Sequence, residues 1–214
     1  MSVAAALLLL AAPAADWRAV ATADDRRRLR GWRDAWVEGL AQAKRGGAGP
    51  AIAAEGALFD PDRALGDPAP PAGDYRCRTF KLGARRPDGL AFVAYPAFRC
   101  RVGADGRFAK LDGSQRPVGS IHPHTSGRAV FLGVLMLGDE RRPLAYGRDR
   151  ERDVAGFVER VGERRWRLSL PYPRFESLLD VVELTPASVG TTGGGTTAGV
   201  GATGAAGSAG KAAR

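Results

Sequence analysis

The sequence predicts a mainly β protein, an antiparallel β-barrel built as a lipocalin-like meander with one N-terminal amphipathic helix packed on it. Three observations predict it. A five-residue motif occurs twice, Tyr75-Arg76-Cys77-Arg78-Thr79 and Phe98-Arg99-Cys100-Arg101-Val102, and the chain's only two cysteines sit at the two centres. From residue 74 onward the apolar period is two. Phe98, Cys100 and Val102 alternate with Arg99 and Arg101, and Trp166, Leu168 and Leu170 alternate with Arg165, Arg167 and Ser169, the pattern of half-buried strands. Turn signals then recur at short intervals, at Asp88-Gly89, Ala104-Asp105-Gly106, Asp112-Gly113, Gly138-Asp139 and Gly162-Glu163. Such short connections make neighbouring strands antiparallel. A meander of roughly six to eight strands closes into a barrel, with a sandwich as the alternative.

Residues 1–15 are small and apolar and end in Ala12-Pro13-Ala14-Ala15, as a secretory signal peptide does. Cleavage there leaves a mature chain starting near Asp16, with no cysteine for lipid attachment. The apolar run falls short of the ~20 residues a spanning helix needs. A soluble, exported protein of the periplasm or exterior is therefore expected, with no transmembrane span in the mature chain.

The segment 16–47 carries the helix. Over residues 22–44, Leu29, Trp32, Trp36 and Leu40 recur at spacings of three and four, which places them on one stripe. Thr22 is a suitable cap, Asp24 and Asp25 suit the positive end of the helix dipole, and Gly46-Gly47 ends the run. Two tryptophans on the stripe must bury their surface, which points to packing on the β-domain. The segment 48–73 reads as a connecting arm, with a short helix over 51–59 followed by the turn and extended material of Asp60-Pro61-Asp62 and Asp67-Pro68-Ala69-Pro70-Pro71. The barrel domain spans 74–186, with a fully apolar strand over 129–137 and further strands over 153–161 and 178–184. The tail 187–214 is Gly, Thr and Ala with little to bury, a composition that predicts disorder.

Several phrases carry a resemblance. They are Gly73-Asp74-Tyr75-Arg76-Cys77-Arg78-Thr79-Phe80-Lys81-Leu82-Gly83, Gly113-Ser114-Gln115-Arg116-Pro117, Phe131-Leu132-Gly133 with Leu137-Gly138-Asp139-Glu140, and Arg165-Trp166-Arg167-Leu168 with Pro173-Arg174-Phe175-Glu176-Ser177. Together they resemble the proteobacterial, sphingomonad-type "domain of unknown function" family numbered 4893, over roughly the span from Trp17 to Pro186. The resemblance implies a class and a compartment and no activity. Gly73-Asp74-Tyr75 is also similar to the Gly-x-Trp of lipocalin-like barrels, although lipocalins carry their helix after the strands. That likeness is one of fold and transmits no function.

The formal charge is +9 with a pI near 10.3, which suits an acidic partner. The basic residues are interleaved with acids, as in Asp149-Arg150-Glu151-Arg152-Asp153, and only Lys44, Lys81, Lys110 and Lys211 are lysines. That skew reads as genome composition. With no recognition motif beside it, no nucleic-acid partner is expected.

Asp88-Gly89 lies midway between the cysteines. A two-residue turn there sets Cys77 opposite Cys100 and predicts a disulfide in an oxidising compartment, a closure that contributes roughly 3 kcal/mol. The same register sets Arg76 against Arg101 and Arg78 against Arg99. Four like charges across a ladder need neutralising, either by Asp180 or Glu183 from a last strand lying beside the first, or by an anionic ligand. Arg76, Arg78, Arg99 and Arg101, with Gln115 and Arg116 of the following turn, are thus the candidate ligand-binding residues.

His122-Pro123-His124 is the one histidine pair and a weak metal candidate, because zinc takes four ligands and no spaced motif supplies the others. Pro123 suggests a loop or edge there. No nucleophile elbow, Ser-x-x-Lys motif or phosphate loop occurs, so no catalytic residue and no cofactor is implied. Three functions fit: an envelope module that binds a small or lipidic ligand or a protein, an inhibitor of a periplasmic or secreted hydrolase acting through the arm, and a hydrolase or metal enzyme using His122 and His124. A hollow barrel favours the first, a filled barrel with a protruding arm the second, and histidines converging with a carboxylate the third.

Overall fold

A computed structural model describes residues 16–187; the signal peptide expected over 1–15 and nearly all of the tail expected over 187–214 lie outside the described residues. The barrel is organised by its first strand, β1 (Gly73–Ala84), which is long enough to pair along three neighbours. It is followed by β2 (Phe92–Ala94), β3 (Phe98–Val102), β4 (Arg107–Lys110), β5 (Gln115–Pro123), β6 (Ala129–Leu137), β7 (Asp153–Gly162), β8 (Arg165–Pro171) and β9 (Ser177–Pro186). Every pairing is antiparallel. The first half of β1 pairs with β3 and its second half with β2, while β9 runs along its other edge from Tyr75↔Pro186 to Ala84↔Ser177. That last pairing closes an eight-stranded barrel, with β2 as an added strand, and leaves no long open edge.

Closure divides the side chains by parity. Tyr75, Cys77, Cys100, Val102, Phe108, Phe131, Val158, Trp166, Leu168, Val182 and Leu184 fill the interior. The aromatic pairs Tyr75–Trp166 and Phe108–Phe131 meet edge to face at 6.1 and 5.8 Å. Gly119 and Gly133 are direct cross-strand partners. A Cβ on either would strike the backbone of the facing strand, so the tight approach of β5 and β6 requires glycine at both places.

The helical cover comes from the N-terminal segment. It comprises α1 (Trp17–Val20), α2 (Ala23–Arg30) and α3 (Trp32–Ala43), a wide turn over Lys44–Ala48, α4 (Gly49–Glu55) and a 3-10 turn over Gly56–Phe59. Thr22 caps α2, its Oγ1 accepting from the Asp25 amide at 3.2 Å. The stripe expected to form one helix breaks at Gly31, and the barrel's curvature is the reason. Leu29 packs on Val130, Leu132 and Phe157 of β6 and β7, whereas Trp36 packs on Phe80, Leu82 and Val181 of β1 and β9. One straight helix cannot lie on both parts of a curved wall. Gly39 lets α3 come close to β1, since a Cβ there would sit 3.3 Å from the Leu82 Cβ and carbonyl oxygen.

The arm over 48–73 does not protrude. It crosses the outer wall, where Leu65 forms a bridge with Arg160. The fully buried Arg167 of β8 holds it there, donating to the carbonyls of Leu58, Asp60 and Arg63 at 3.1, 2.5 and 3.1 Å. Its Nε pairs with buried Glu159 at 2.6 Å, and Trp36 lies against its guanidinium. A buried charge with its donors taken up in this way fixes the position of the segment it binds.

Candidate functional site

The barrel is plugged at one end and open at the other. The lower end, where β1 begins and β9 finishes, holds Tyr75, Trp166, Phe108 and Val102. At the upper end the inward positions continue on β1 as Thr79 and Lys81, on β4 as Lys110 and on β9 as Asp180. These residues surround a cavity of about 240 Å³, with Gln115 and Ser114 on one rim, Tyr95 and Glu176 on another, and Leu135, Leu170 and Val182 as its apolar wall. Eight-stranded barrels have interiors that side chains just fill or that hold one small ligand; here the lower half is filled and the upper half is a cup.

The charges in the cup are unequal. The Lys81 ammonium, nearly buried, lies 3.0 Å from Glu176 and 3.5 Å from Asp180, and donates to Gln115 Oε1 at 3.1 Å. Burial works against its charge, but the Asp180 and Glu176 carboxylates outweigh it and hold Lys81 above the ordinary lysine value. Asp180 also accepts from Ser177 Oγ. Burial pushes its carboxyl upward despite Lys81, so the proton is held more tightly than by a free aspartate. Lys110 differs from Lys81. It has no carboxylate or hydrogen-bond partner among the described residues and lies 4.2 Å from the centre of the Phe98 ring. Burial pushes its ammonium below the ordinary value.

Outside the barrel the arginines of the repeated motif are mostly paired. The register is Tyr75↔Cys100 and Cys77↔Phe98, two residues from the expected one, so Arg76 faces Arg99 and Asp74 faces Arg101. The tight two-residue hairpin does not form. Arg86 and Gly89 instead close a turn within a longer excursion that also contains β2. A two-residue slip keeps every side chain on its face. Both cysteines therefore still point inward and are joined by a disulfide, diagonally, with Cα atoms 6.1 Å apart.

Arg101 pairs with Asp74 at 2.6 Å and Arg99 with Asp112 at 3.0 Å. Arg78 belongs to a closed ring with Glu183, Arg165 and Glu55, its four ion pairs spanning 2.5 to 2.9 Å. Arg76 is exposed and forms no ion pair among the described residues. Arg116 points outward and donates to the carbonyls of Leu137 and Glu140 at 2.6 and 2.8 Å. Of the six candidate ligand-binding residues, the structure brings only Gln115 to the cup.

His122 lies in β5, which extends through Pro123 where the sequence suggested a loop or edge. His124 follows the strand and packs between Trp17 and Phe157, accepting at Nδ1 from Trp17 Nε1 at 3.4 Å. Burial, and then the nearby Arg18 and Arg128, hold its imidazole below the ordinary range. No group of three or more His, Cys, Asp and Glu side chains among the described residues is placed to hold a metal ion. A broader depression of about 850 Å³ lies outside the barrel between α3 and the loop after β1, with Glu38, Arg45, Arg85 and Arg86 on its walls. It is an open surface feature, and the cup is the more enclosed of the two.

The cup residues missed in the sequence are Lys81, Lys110, Asp180 and Glu176. One signal was present: two of the four lysines in this arginine-rich chain lie at inward strand positions.

These features define the class: a closed eight-stranded antiparallel barrel, helically covered on one side, plugged at one end and cupped at the other. The chain belongs to the family described as "Domain of unknown function (DUF4893)", which matches residues 17–184. No curated protein and no solved structure matches it. The internal disulfide fits an oxidising compartment, and no helix among the described residues is long and apolar enough to cross a membrane.

Proposed function

We propose that this protein is an exported envelope module, periplasmic or secreted, that binds a small ligand in the open end of its barrel. The observation that carries the reading is the cup itself, an interior cavity of about 240 Å³ where apolar Leu135, Leu170 and Val182 face the polar groups of Lys81, Lys110, Gln115 and Asp180. An apolar wall with a few convergent polar groups is the common design of a small-molecule site. The leader-like residues 1–15 and the disulfide support export. The inhibitor reading asks for a free arm, and this arm is held down by Arg167. The metal-enzyme reading asks for converging histidines, and His124 is instead packed between aromatic rings.

Native mass spectrometry of the protein purified from an oxidising compartment, compared with the same sample denatured, tests the reading. A small species that is retained natively and released on denaturation is the expected result. A bare native mass, unchanged after incubation with the host's small-molecule extract, counts against it.

A further inference from the structure

We infer that the ligand of the cup is a small monocarboxylate, its head group held by Lys110 and its short apolar tail laid against Leu135, Leu170 and Val182. This rests on the reading of the cup as a small-ligand site and adds its chemical class.

The argument begins with the choice of lysine. The chain meets nearly every need for a cation with arginine, yet the two cations inside the barrel are Lys81 and Lys110. A compact ammonium fits a cavity of about 240 Å³ with space left over, where a planar guanidinium takes up more of it. The two lysines have different surroundings. Lys81 is engaged by Glu176, Asp180 and Gln115. Lys110 lies on the face of Phe98 beside the Gly113 turn and forms no ion pair or hydrogen bond among the described residues; Asp180 and Asp112 act on it only from beyond contact distance, against Lys81 and Arg116. A partly buried ammonium without a counter-ion is costly, and a bound anion would remove that cost.

The charge count limits the anion. Lys81 takes both carboxylates of the cup, Glu176 and Asp180, which leaves Lys110 as the one cup cation outside an ion pair and a place for a single negative charge. A dianionic phosphate would want two or three free charged donors, and the arginines that would provide them are tied to carboxylates on the outer wall. The apolar wall at Leu135, Leu170 and Val182 then asks for a hydrocarbon tail, and a cavity of about 240 Å³ suits a short one.

The test is isothermal titration of the full disulfide-bonded protein with hexanoate, hexan-1-ol and palmitate. Hexanoate should bind at least about tenfold more tightly than hexan-1-ol, the factor for one charge-assisted hydrogen bond, and more tightly than palmitate. Lys110→Met should abolish that preference. Lys110→Gln, which keeps a polar side chain, serves if the methionine variant fails to fold. Equal binding of acid and alcohol, or hexanoate binding unchanged in a folded Lys110 variant, overturns the carboxylate assignment and leaves the small-ligand reading standing. Affinity that keeps rising to palmitate overturns the small-acid assignment in favour of a lipid. Binding of none of the three, with a bare native mass spectrum, removes both.

Discussion

At its lower end the barrel is packed with edge-to-face aromatics, Tyr75 on Trp166 and Phe108 on Phe131. At its upper end the same strands present Thr79, Lys81, Lys110 and Asp180 around open space. The inward period is continuous along β1, so the change from Tyr75 and Cys77 to Thr79 and Lys81 is one of residue type and not of geometry. Burying apolar rings stabilises a fold. Burying ammonium and carboxyl groups costs stability unless they are paired, and Lys110 lacks such a partner among the described residues. The plugged half carries stability, and the cup is where the proposed binding would take place.

Four changes would break or sharpen that contrast. Phe131→Ala, in the plug, should cost about 4 kcal/mol by cavity formation, read as a fall in the denaturant midpoint; a loss under about 1 kcal/mol would show the plug to be loosely packed. Removing the Cys77–Cys100 disulfide should cost about 3 kcal/mol, and peptide mapping without reductant should recover the linked pair. Acid should loosen α1. His124 accepts from Trp17 only while Nδ1 is unprotonated, and its folded value lies below the ordinary 6.5. The stability it contributes is thus complete above the unfolded value and lost as pH falls through the lower folded value. Hydrogen-exchange protection at residues 17–21, taken relative to the intrinsic rate at each pH, should fall as pH drops from about 7 to about 5, and less so in His124→Phe; His122, depressed by burial, adds a contribution of the same sign elsewhere. Lys110→Met, in the cup, should change stability by less than about 1 kcal/mol while abolishing the preference for hexanoate over hexan-1-ol. A large stability change there would make the cup part of the core.

The barrel class, the strand candidates and the inward facing of both cysteines were legible because they depend on alternation, which consecutive residues carry themselves. The register was not. Pro87, Pro96 and the short β2 turn the apparent hairpin into an excursion, and the pairing moved by two. The neutralisation of the arginine face was half legible. Glu183 does pair with Arg78, but Asp180, an odd number of residues away on the same strand, faces inward to Lys81. Arg167 read as one polar position in an alternating strand, and nothing local shows that it would be fully buried under the arm.

The sequence by itself determined which residues alternate, where the chain turns and which face of its own strand each sulfur takes, because those properties lie within a few residues of each other. Only the tertiary structure decided what meets across the closure of the barrel. Lys81 reaches Asp180 from about a hundred residues away because β9 returns along β1 in one register. That pairing turns four inward polar positions, unremarkable along the chain, into a cup.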